Sequence, residues 1–501
     1  GMLILLLLFV VAFLYITSFY RNVRRYPKGP LPLPLIGNLY HLEANNLHEQ
    51  LHALSAEHGS CYTLFLPRPT VIFTEYSVIK EALVTQGEHF AGRWHGPPDS
   101  LFLATPQTGV LFSDGSVWQR QRRVALRIMR DFGVGRTLIE EKINRSLGEL
   151  LDELKNLNSA KPVDLGLPIQ LCVGNVMNEI LFGFHYKYTD TARFEYLVDV
   201  IAQHLLLVKE SFAVLLVQAW PWLRHVPVLG YYGYDAMVQN IQKYHIFIED
   251  QVREQTEEYE KNGREEEEEP ANFVHAYLAE QKRAPEGELD MANLVQICLD
   301  FWLAGMETTS TTLRWALLFL MKYPDVQEEM ASEIASVLGA PSLSSRLVAL
   351  SDRPSLPFSN AVILEIQRAC NMVPFVALHR CTRDSVVAGH VIPEDTLVLP
   401  QIHSVLGHDE TFEAAEEFRP RRFLAEDGKT MRKDAVERLI AFGMGKRQCV
   451  GEGLARAELF LILTTLVHRY RYAPNGPIDM THVFSSVLAP KPYDCYVSAR
   501  N

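Results

Sequence analysis

Cys449 sits in the run Phe442-Gly443-Met444-Gly445-Lys446-Arg447-Gln448-Cys449-Val450-Gly451, just ahead of a helical pattern over 453–470. Backbone N–H groups near a helix N-terminus lower a thiol's pKa and favour the thiolate, the form that ligates metals. Gly445 and Gly451 permit a turn and a close approach of backbone to a bound group. Taken alone, a lone cysteine is ordinarily an inert core thiol. In Ala304-Gly305-Met306-Glu307-Thr308-Thr309 the Thr308 hydroxyl can return to the carbonyl of Ala304, four residues back, where Gly305 weakens the helix. Glu365 and Arg368 share a helix face, which in isolation is usually a surface ion pair of little value. Trp118 and Arg122 place an indole N–H and a guanidinium one helical turn apart, although a single Trp is more often core.

In their order along the chain, these motifs resemble those of the cytochrome P-450 family. All five specified positions of its haem-binding loop, Phe-x-x-Gly-x-Arg-x-Cys-x-Gly, stand between Phe442 and Gly451, against the inert-thiol reading. The resemblance implies that Cys449 is the axial ligand of haem iron, its thiolate donating density that favours O–O cleavage. It implies further that Arg447 pairs with a haem propionate and that Phe442 shields the sulfur from water. Ala304–Thr309 resembles the family's oxygen-activation motif, with Thr308 and Glu307 as catalytic proton-relay residues and the opened helix leaving room for dioxygen. Phe418-Arg419-Pro420-Arg421-Arg422-Phe423 resembles the family's Phe-x-Pro-x-Arg-Phe segment and implies a buried Glu365–Arg368–Arg422 triad supporting the proximal loop. Arg421 stands where relatives often carry Glu. Trp118, Arg122 and His379 match haem-propionate contacts, with Leu378 replacing the Pro that usually precedes that histidine. By family position Phe102, Leu103, Val110, Phe112, Phe301, Ala304, Val376 and Val487 line the substrate pocket, which says lipophilic and little more.

The resemblance covers essentially the whole chain and is closest to animal microsomal members. It implies a mainly α fold with small β-sheets, a single large haem domain in which haem b (iron protoporphyrin IX) lies between the helix carrying Thr308 and the loop carrying Cys449. It also implies electrons from an NADPH-dependent flavoprotein reductase, with cytochrome b5 as a further donor. The chain has no Gly-rich dinucleotide motif of its own. The expected reaction inserts one oxygen atom from dioxygen into a lipophilic small molecule (xenobiotic, fatty acid or steroid-like). A haem-thiolate isomerase or dehydratase working without a reductase is the alternative enzyme, and a non-catalytic haem-binding membrane protein the alternative outside catalysis. The intact Glu307-Thr308 pair favours the monooxygenase.

The elements that must position these residues follow from pattern and composition. The 501 residues are 48% hydrophobic and 22% charged, which excludes a disordered, collagen-like or polytopic membrane chain. A net charge of −12 gives no global field for nucleic acid, and none is expected as a partner. Seven dispersed cysteines without a CxxC pair read as reduced thiols in a cytosol-facing protein. Residues 2–20 are uncharged and apolar, enough for a helix of about 28 Å, and Arg21, Arg24, Arg25 and Lys28 follow. An uncleaved transmembrane anchor in the endoplasmic reticulum is expected, with the basic flank and the catalytic domain on the cytosolic side. Prolines across 21–37 make a stiff, basic spacer, and 38–501 reads as one haem-containing catalytic domain.

Strands are expected over 61–66, 70–74, 385–392 and 396–400, and helices over 47–58, 137–157, 194–216, 235–260, 290–322 and 453–470. The acidic run Glu265–Glu269 reads as a solvated loop. Residues 211–234, with Trp220 and Trp222 around Pro221, suit either a core or insertion into a membrane interface. Residues 118–136 hold Arg120, Arg122, Arg123, Arg127, Arg130 and Arg136 against one acid, Asp131. With Lys446 they suit a basic face for an acidic redox partner.

Overall fold

The computed structural model describes residues 2–43, 46–97, 99–132, 137–261, 270–341, 346–374, 376–484 and 487–500. The tract Glu265–Glu269 and Arg136 lie outside them. The described chain is mainly helical and organised around one long central helix, Met291–Lys322. Asp290 caps its start, accepting from the Asn293 N–H at 2.7 Å, and Pro324 prevents its continuation into the next helix. The central helix is buried along most of its length and packs on the helix Gly166–Leu181. Gly305 serves that contact directly. A Cβ there would lie 2.6 Å from the Met177 sulfur, so glycine lets the two helices approach as well as loosening the turn.

The expected strands are present within a residue or two, except that the segment 385–392 is not one strand but a hairpin, turned at Ala388 and Gly389, both at positive φ. Cys61–Phe65 (β1) and Pro69–Phe73 (β2) form a hairpin, and Gly92–Arg93 (β3) and His379–Arg380 (β4) are short. Ser385–Val387 (β5) pairs with His390–Ile392 (β6), and Leu397–Pro400 (β7) completes a five-stranded sheet of order β1-β2-β7-β4-β3. β2 and β7 run parallel, and the other pairs in that sheet are antiparallel. Two further ribbons near the C-terminus, Tyr470–Pro474 with Cys495–Ala499 and His482–Phe484 with Leu488–Pro490, were not expected.

One helical expectation is corrected. The pattern 194–216 is two helices, Ala192–Glu210 and Phe212–Ala219, bent by 70°. Ser211 takes an extended conformation and accepts from the Val214 N–H at 3.4 Å, so an N-cap interrupts an unbroken apolar stripe. After this bend Phe212, Leu215, Trp222, Val228, Tyr231 and Tyr232 are exposed together, while Trp220 is half-buried.

The N-terminal helix covers Met2–Val23, three residues beyond the expected end, and none of it is buried. Twenty-two residues span about 33 Å, the thickness of a hydrocarbon layer. Its end rests on the body: Phe19 and Tyr26 each pack on Phe65 at 5.8 Å between ring centroids. The proline segment is fastened to β1 by Asn38, whose amide N–H donates to the Phe65 carbonyl at 2.8 Å while its Oδ1 accepts from the Phe65 N–H at 2.8 Å.

These two apolar surfaces predict a graded membrane association. The full-length chain should resist alkaline carbonate extraction, and deleting residues 2–20 should release only part of it. Adding Phe212→Ser and Trp222→Ser to the deletion should move the remainder to the soluble fraction, read by sedimentation and immunoblot.

Candidate functional site

The proximal side is built on a carboxylate removed from water. Glu365 is 0% exposed, and its oxygens accept from Arg368 Nε and Nη2 at 2.8 Å each and from Arg422 Nε at 3.0 Å. It also accepts from the Arg419 N–H at 2.8 Å. The remaining guanidinium donors are used on carbonyls: Arg368 on Leu406 and Ala415, Arg422 on Glu413, Ala414 and Glu417. The structure thus brings the three expected residues together. Arg421 points elsewhere, pairing with Glu329 and lying over the Phe358 ring at 5.2 Å.

The Cys449 loop closes through its own backbone, the Cys449 N–H donating to the Phe442 carbonyl at 3.0 Å. Gly445, at φ +75°, crosses so near Leu83 that a Cβ would sit 1.8 Å from that carbonyl oxygen. Of the seven cysteines Cys449 alone is exposed; the other six are buried. The expectation of a lowered thiol pKa needs correction. Burial pushes the Cys449 thiol up, with Glu452 in the same direction, while the Gly451 and Glu452 amides and Arg122 pull it down without prevailing. Coordination to a metal cation deprotonates a thiol outright.

Opposite this loop, the Thr308 hydroxyl donates to the Ala304 carbonyl at 2.7 Å, as the spacing predicts, and Thr312 repeats the bond to the Thr308 carbonyl at 2.9 Å. Thr308, Thr309 and Thr312 face Ala441, Phe442 and Met372 across one cavity. Glu307 is turned away from Thr308. Its carboxyl accepts from Thr311 at 3.4 Å; burial raises its pKa, against Arg314, Thr311 and Gln170. Beyond the helix another buried acid, Glu458, lies 3.4 Å from the Thr309 hydroxyl and is pushed up to about 8 by burial.

Trp118, Arg447 and His379 converge as expected, and the structure adds Arg93, which sequence reasoning missed. Arg447 lies 3.7 Å over the Trp118 ring and donates to the carbonyls of Ala91 and Ser113. Burial lowers Arg447 to about 8, with Arg93 and Arg122 adding repulsion, and lowers Arg93 to about 10. His379 is held well below its ordinary value by burial and by Arg93, its Nδ1 on the Phe90 carbonyl at 2.7 Å. Asp99, the acid that offsets Arg93 most, is itself pushed up to about 7 by burial. Trp118 Nε1 is buried without a partner. A recess with surplus buried cations and an orphan N–H calls for an anionic group, and the two carboxylates of a haem fit it. Arg122 points instead to the Gln448 carbonyl, beside Cys449. Leu378 does not disturb β4; its side chain packs against the small cluster of Leu51, Tyr62, Leu64, Ile72 and Leu399.

Of the expected pocket residues, Phe102 stacks on Phe112 at 5.8 Å and Val110 is buried, as is Val487, whose neighbour Leu488 donates its N–H to the Met372 carbonyl. Val376 lies against the Cys449 loop near Gly443, Phe301 meets Phe273 edge-on, and Ala304 is exposed on the central helix. Leu103 is half-buried. This segment is docked by Asn293, Gln296 and Asp300, whose side chains hold the amides of Gly109, Ala104, Val110 and Leu111. Their spacing on one helix face was a readable signal. His204 was not anticipated: it meets Phe102 at 5.2 Å, is 1% exposed, and both ring nitrogens lack partners. On the outer face Arg123, Arg127 and Arg130 are exposed, with Arg127 paired to Glu280 at 2.6 Å.

Comparison with known proteins agrees with this geometry. The family described as Cytochrome P450 matches residues 27–497. Cytochrome P450 2G1 of Rattus norvegicus is 34% identical over 92% of this chain and 90% of its own. Cytochrome P450 2B4 of Oryctolagus cuniculus is 35% identical over 91% and 90%, and Cytochrome P450 2E1 of Bos taurus 32% over 94% and 92%.

The buried and exposed arginines of the proximal side should respond differently to truncation. Glu365→Ala leaves two buried guanidiniums uncompensated and should cost about 3–5 kcal/mol with loss of haem content. Arg421→Ala removes an exposed pair and should change stability by less than about 1 kcal/mol. Denaturant unfolding of both variants checks the contrast.

Proposed function

The chain belongs to the cytochrome P450 family and is a haem-thiolate monooxygenase, and from that premise we propose the finer assignment: one oxygen atom is inserted into a lipophilic small molecule, with electrons from an NADPH-dependent flavoprotein reductase. The observation that carries it is the cavity walled on one side by Thr308 and on the other by the loop that presents the only exposed cysteine, Cys449. The bound group is haem b, which supplies the redox chemistry that activates dioxygen. Cys449 Sγ ligates its iron. Arg447, Arg93, His379 and Trp118 Nε1 hold its propionates, and Phe442 keeps water from the sulfur. Arg122 fixes the Gln448 carbonyl and so the loop.

Thr308 Oγ1 is the proton-delivering hydroxyl facing the cavity. Glu307, raised by burial and turned toward Thr311 and Gln170, is a proton reservoir on the far side of the helix. Substrate is taken by Phe102, Leu103, Val110, Phe112, Phe301, Ala304, Val376 and Val487. The unpartnered His204 nitrogens beside Phe102 favour substrates with one hydrogen-bonding group, since an apolar one leaves them unsatisfied. Xenobiotics, fatty acids and steroid-like molecules all meet that description.

Residues 2–20 anchor the chain in the endoplasmic reticulum membrane, 21–37 form the spacer, and 38–501 form the haem domain on the cytosolic side. Arg123, Arg127, Arg130 and Lys446 offer a basic face to the reductase and to cytochrome b5; Arg122, directed inward, is not part of it.

Cys449→Ser tests the assignment: the reduced, CO-bound protein should lose its red-shifted thiolate Soret band. A band that survives removes Cys449 as ligand. Thr308→Ala tests proton delivery. It should still bind haem and substrate and consume NADPH with reductase, but oxidised product per NADPH should fall while hydrogen peroxide rises. Thr309 lies about 100° around the helix and its hydroxyl is on Glu458, so it should not substitute. Unchanged coupling would return weight to the isomerase reading.

A further inference from the structure

Away from this site, five imidazoles and a carboxylate gather where the helix Leu47–His58 meets the short helix Ile402–His408. His48, Glu49 and His52 come from the first helix and His403 and His408 from the second, and the His482 ring lies 5.4 Å from His48. Glu49 Oε2 is 3.1 Å from His403 Nε2 and 3.9 Å from His408 Nε2, and the two nitrogens are 3.3 Å apart. Ligand atoms at about 2.0–2.1 Å from a tetrahedral zinc ion are about 3.3–3.4 Å from one another. Two of the three separations, 3.1 and 3.3 Å, are close to that spacing, and the third, 3.9 Å, is longer. His48 brings a further nitrogen: the ligand atoms of His48, Glu49 and His403 all lie within 4.8 Å of one another, a group that does not include His408.

A second observation concerns where the proton sits on His403. Asn371, in the left-handed conformation at the end of the helix Pro357–Cys370, places its Nδ2 2.6 Å from His403 Nδ1, while its Oδ1 is buried without a partner. With the amide turned over, Oδ1 accepts from Nδ1–H, the arrangement that orients a metal-binding histidine, and Nδ2 takes the unpartnered place. The proton is then on Nδ1, and His403 Nε2 is a bare lone pair facing a carboxylate oxygen at 3.1 Å. In that tautomer a cation between them is bound by both groups. His408 is held flat against His52 at 3.6 Å between ring centroids, and His52 Nδ1 is 3.1 Å from the Ser404 hydroxyl, so the second ligand ring is also fixed from outside.

We propose that His48, Glu49, His403 and His408 bind one divalent transition-metal ion, zinc by the chemistry of the set, and that the ion clamps the helix Leu47–His58 to the segment flooring the cavity. Three imidazoles with one carboxylate suit zinc and not calcium or magnesium, which take oxygen ligands. The clamp is structural and separate from the haem chemistry. It reaches the cavity through the His403 N–H, which donates to the Pro374 carbonyl at 2.8 Å, and through Asn371, which precedes Met372 and Val373 in the wall.

The test uses the tag-free, haem-loaded full-length protein in detergent, stripped with a chelator and titrated with Zn2+ against a chromophoric competitor. Wild type should bind one tight equivalent with the haem spectrum unchanged, and its unfolding midpoint should rise. His403 is buried and its replacement risks misfolding, so the variants are Glu49→Gln and His408→Ala, both at exposed positions. Each should weaken the tight equivalent at least tenfold and abolish the zinc-dependent rise in midpoint. No tight equivalent in wild type, or the same affinity and midpoint shift in both variants, overturns the site and leaves a proton between Glu49 and His403.

Discussion

A carboxylate with no access to water has to be met by donors on every side, and Glu365 meets that requirement with two arginines and one backbone amide. The geometry of the proximal half follows from that demand. Arg368 belongs to the same helix and cannot move independently of Glu365. Arg422 arrives from 57 residues later and brings the 413–423 segment with it, because its other donors end on Glu413, Ala414 and Glu417. Loss of any one member strands a buried charge, so the cluster is either whole or expensive. The same helix ends at Asn371, whose successors wall the cavity, so the constraint is passed directly to the site.

Around the cavity the electrostatics run the other way. Arg93 and Arg447 lie together without enough acid to neutralise them, burial lowers both, and it keeps the neighbouring His379 uncharged. Stability is conceded there to keep a positive recess ready for an anionic group. Cys449 shows the same trade on the other sign: burial raises the thiol, and the helix N-terminus behind it is too weak to hold a thiolate alone.

The legible part of the site was the part written locally. Thr308 to Ala304, Glu365 to Arg368 and Trp118 to Arg122 are spacings of three or four on a helix, and the structure places the first two as hydrogen-bonded pairs. Arg122 shows the limit, since a one-turn spacing to Trp118 did not reveal that its guanidinium would reach Gln448. Arg93 was invisible because its place depends on a two-residue strand pairing with His379 and Arg380, nearly three hundred positions away. The histidine cluster was dispersed in the same way over residues 48–52, 403–408 and 482. Composition counted seventeen histidines without saying that five would meet. The bend at Ser211 was missed for the opposite reason, because an apolar stripe that continues through a cap looks unbroken.

One sheet joins the features that sequence kept apart. β3 carries Arg93 and β4 carries His379, while β7 leads through Gln401 into the helix of His403 and His408. The Gln401 N–H donates to the Phe73 carbonyl of β2 at 2.8 Å, and its side chain donates to the His48 carbonyl. At the far edge β1 holds Asn38 and presents Phe65 to Phe19 and Tyr26 at the root of the N-terminal helix. Five hydrogen-bonded strands in a close-packed interior do not bend independently. The direction in which the apolar helix leaves the body, the placement of the cationic recess and the seat of the histidine cluster are therefore fixed by the same rigid unit. The Phe212–Tyr232 apolar patch is reached by a different route, through the Ser211 bend.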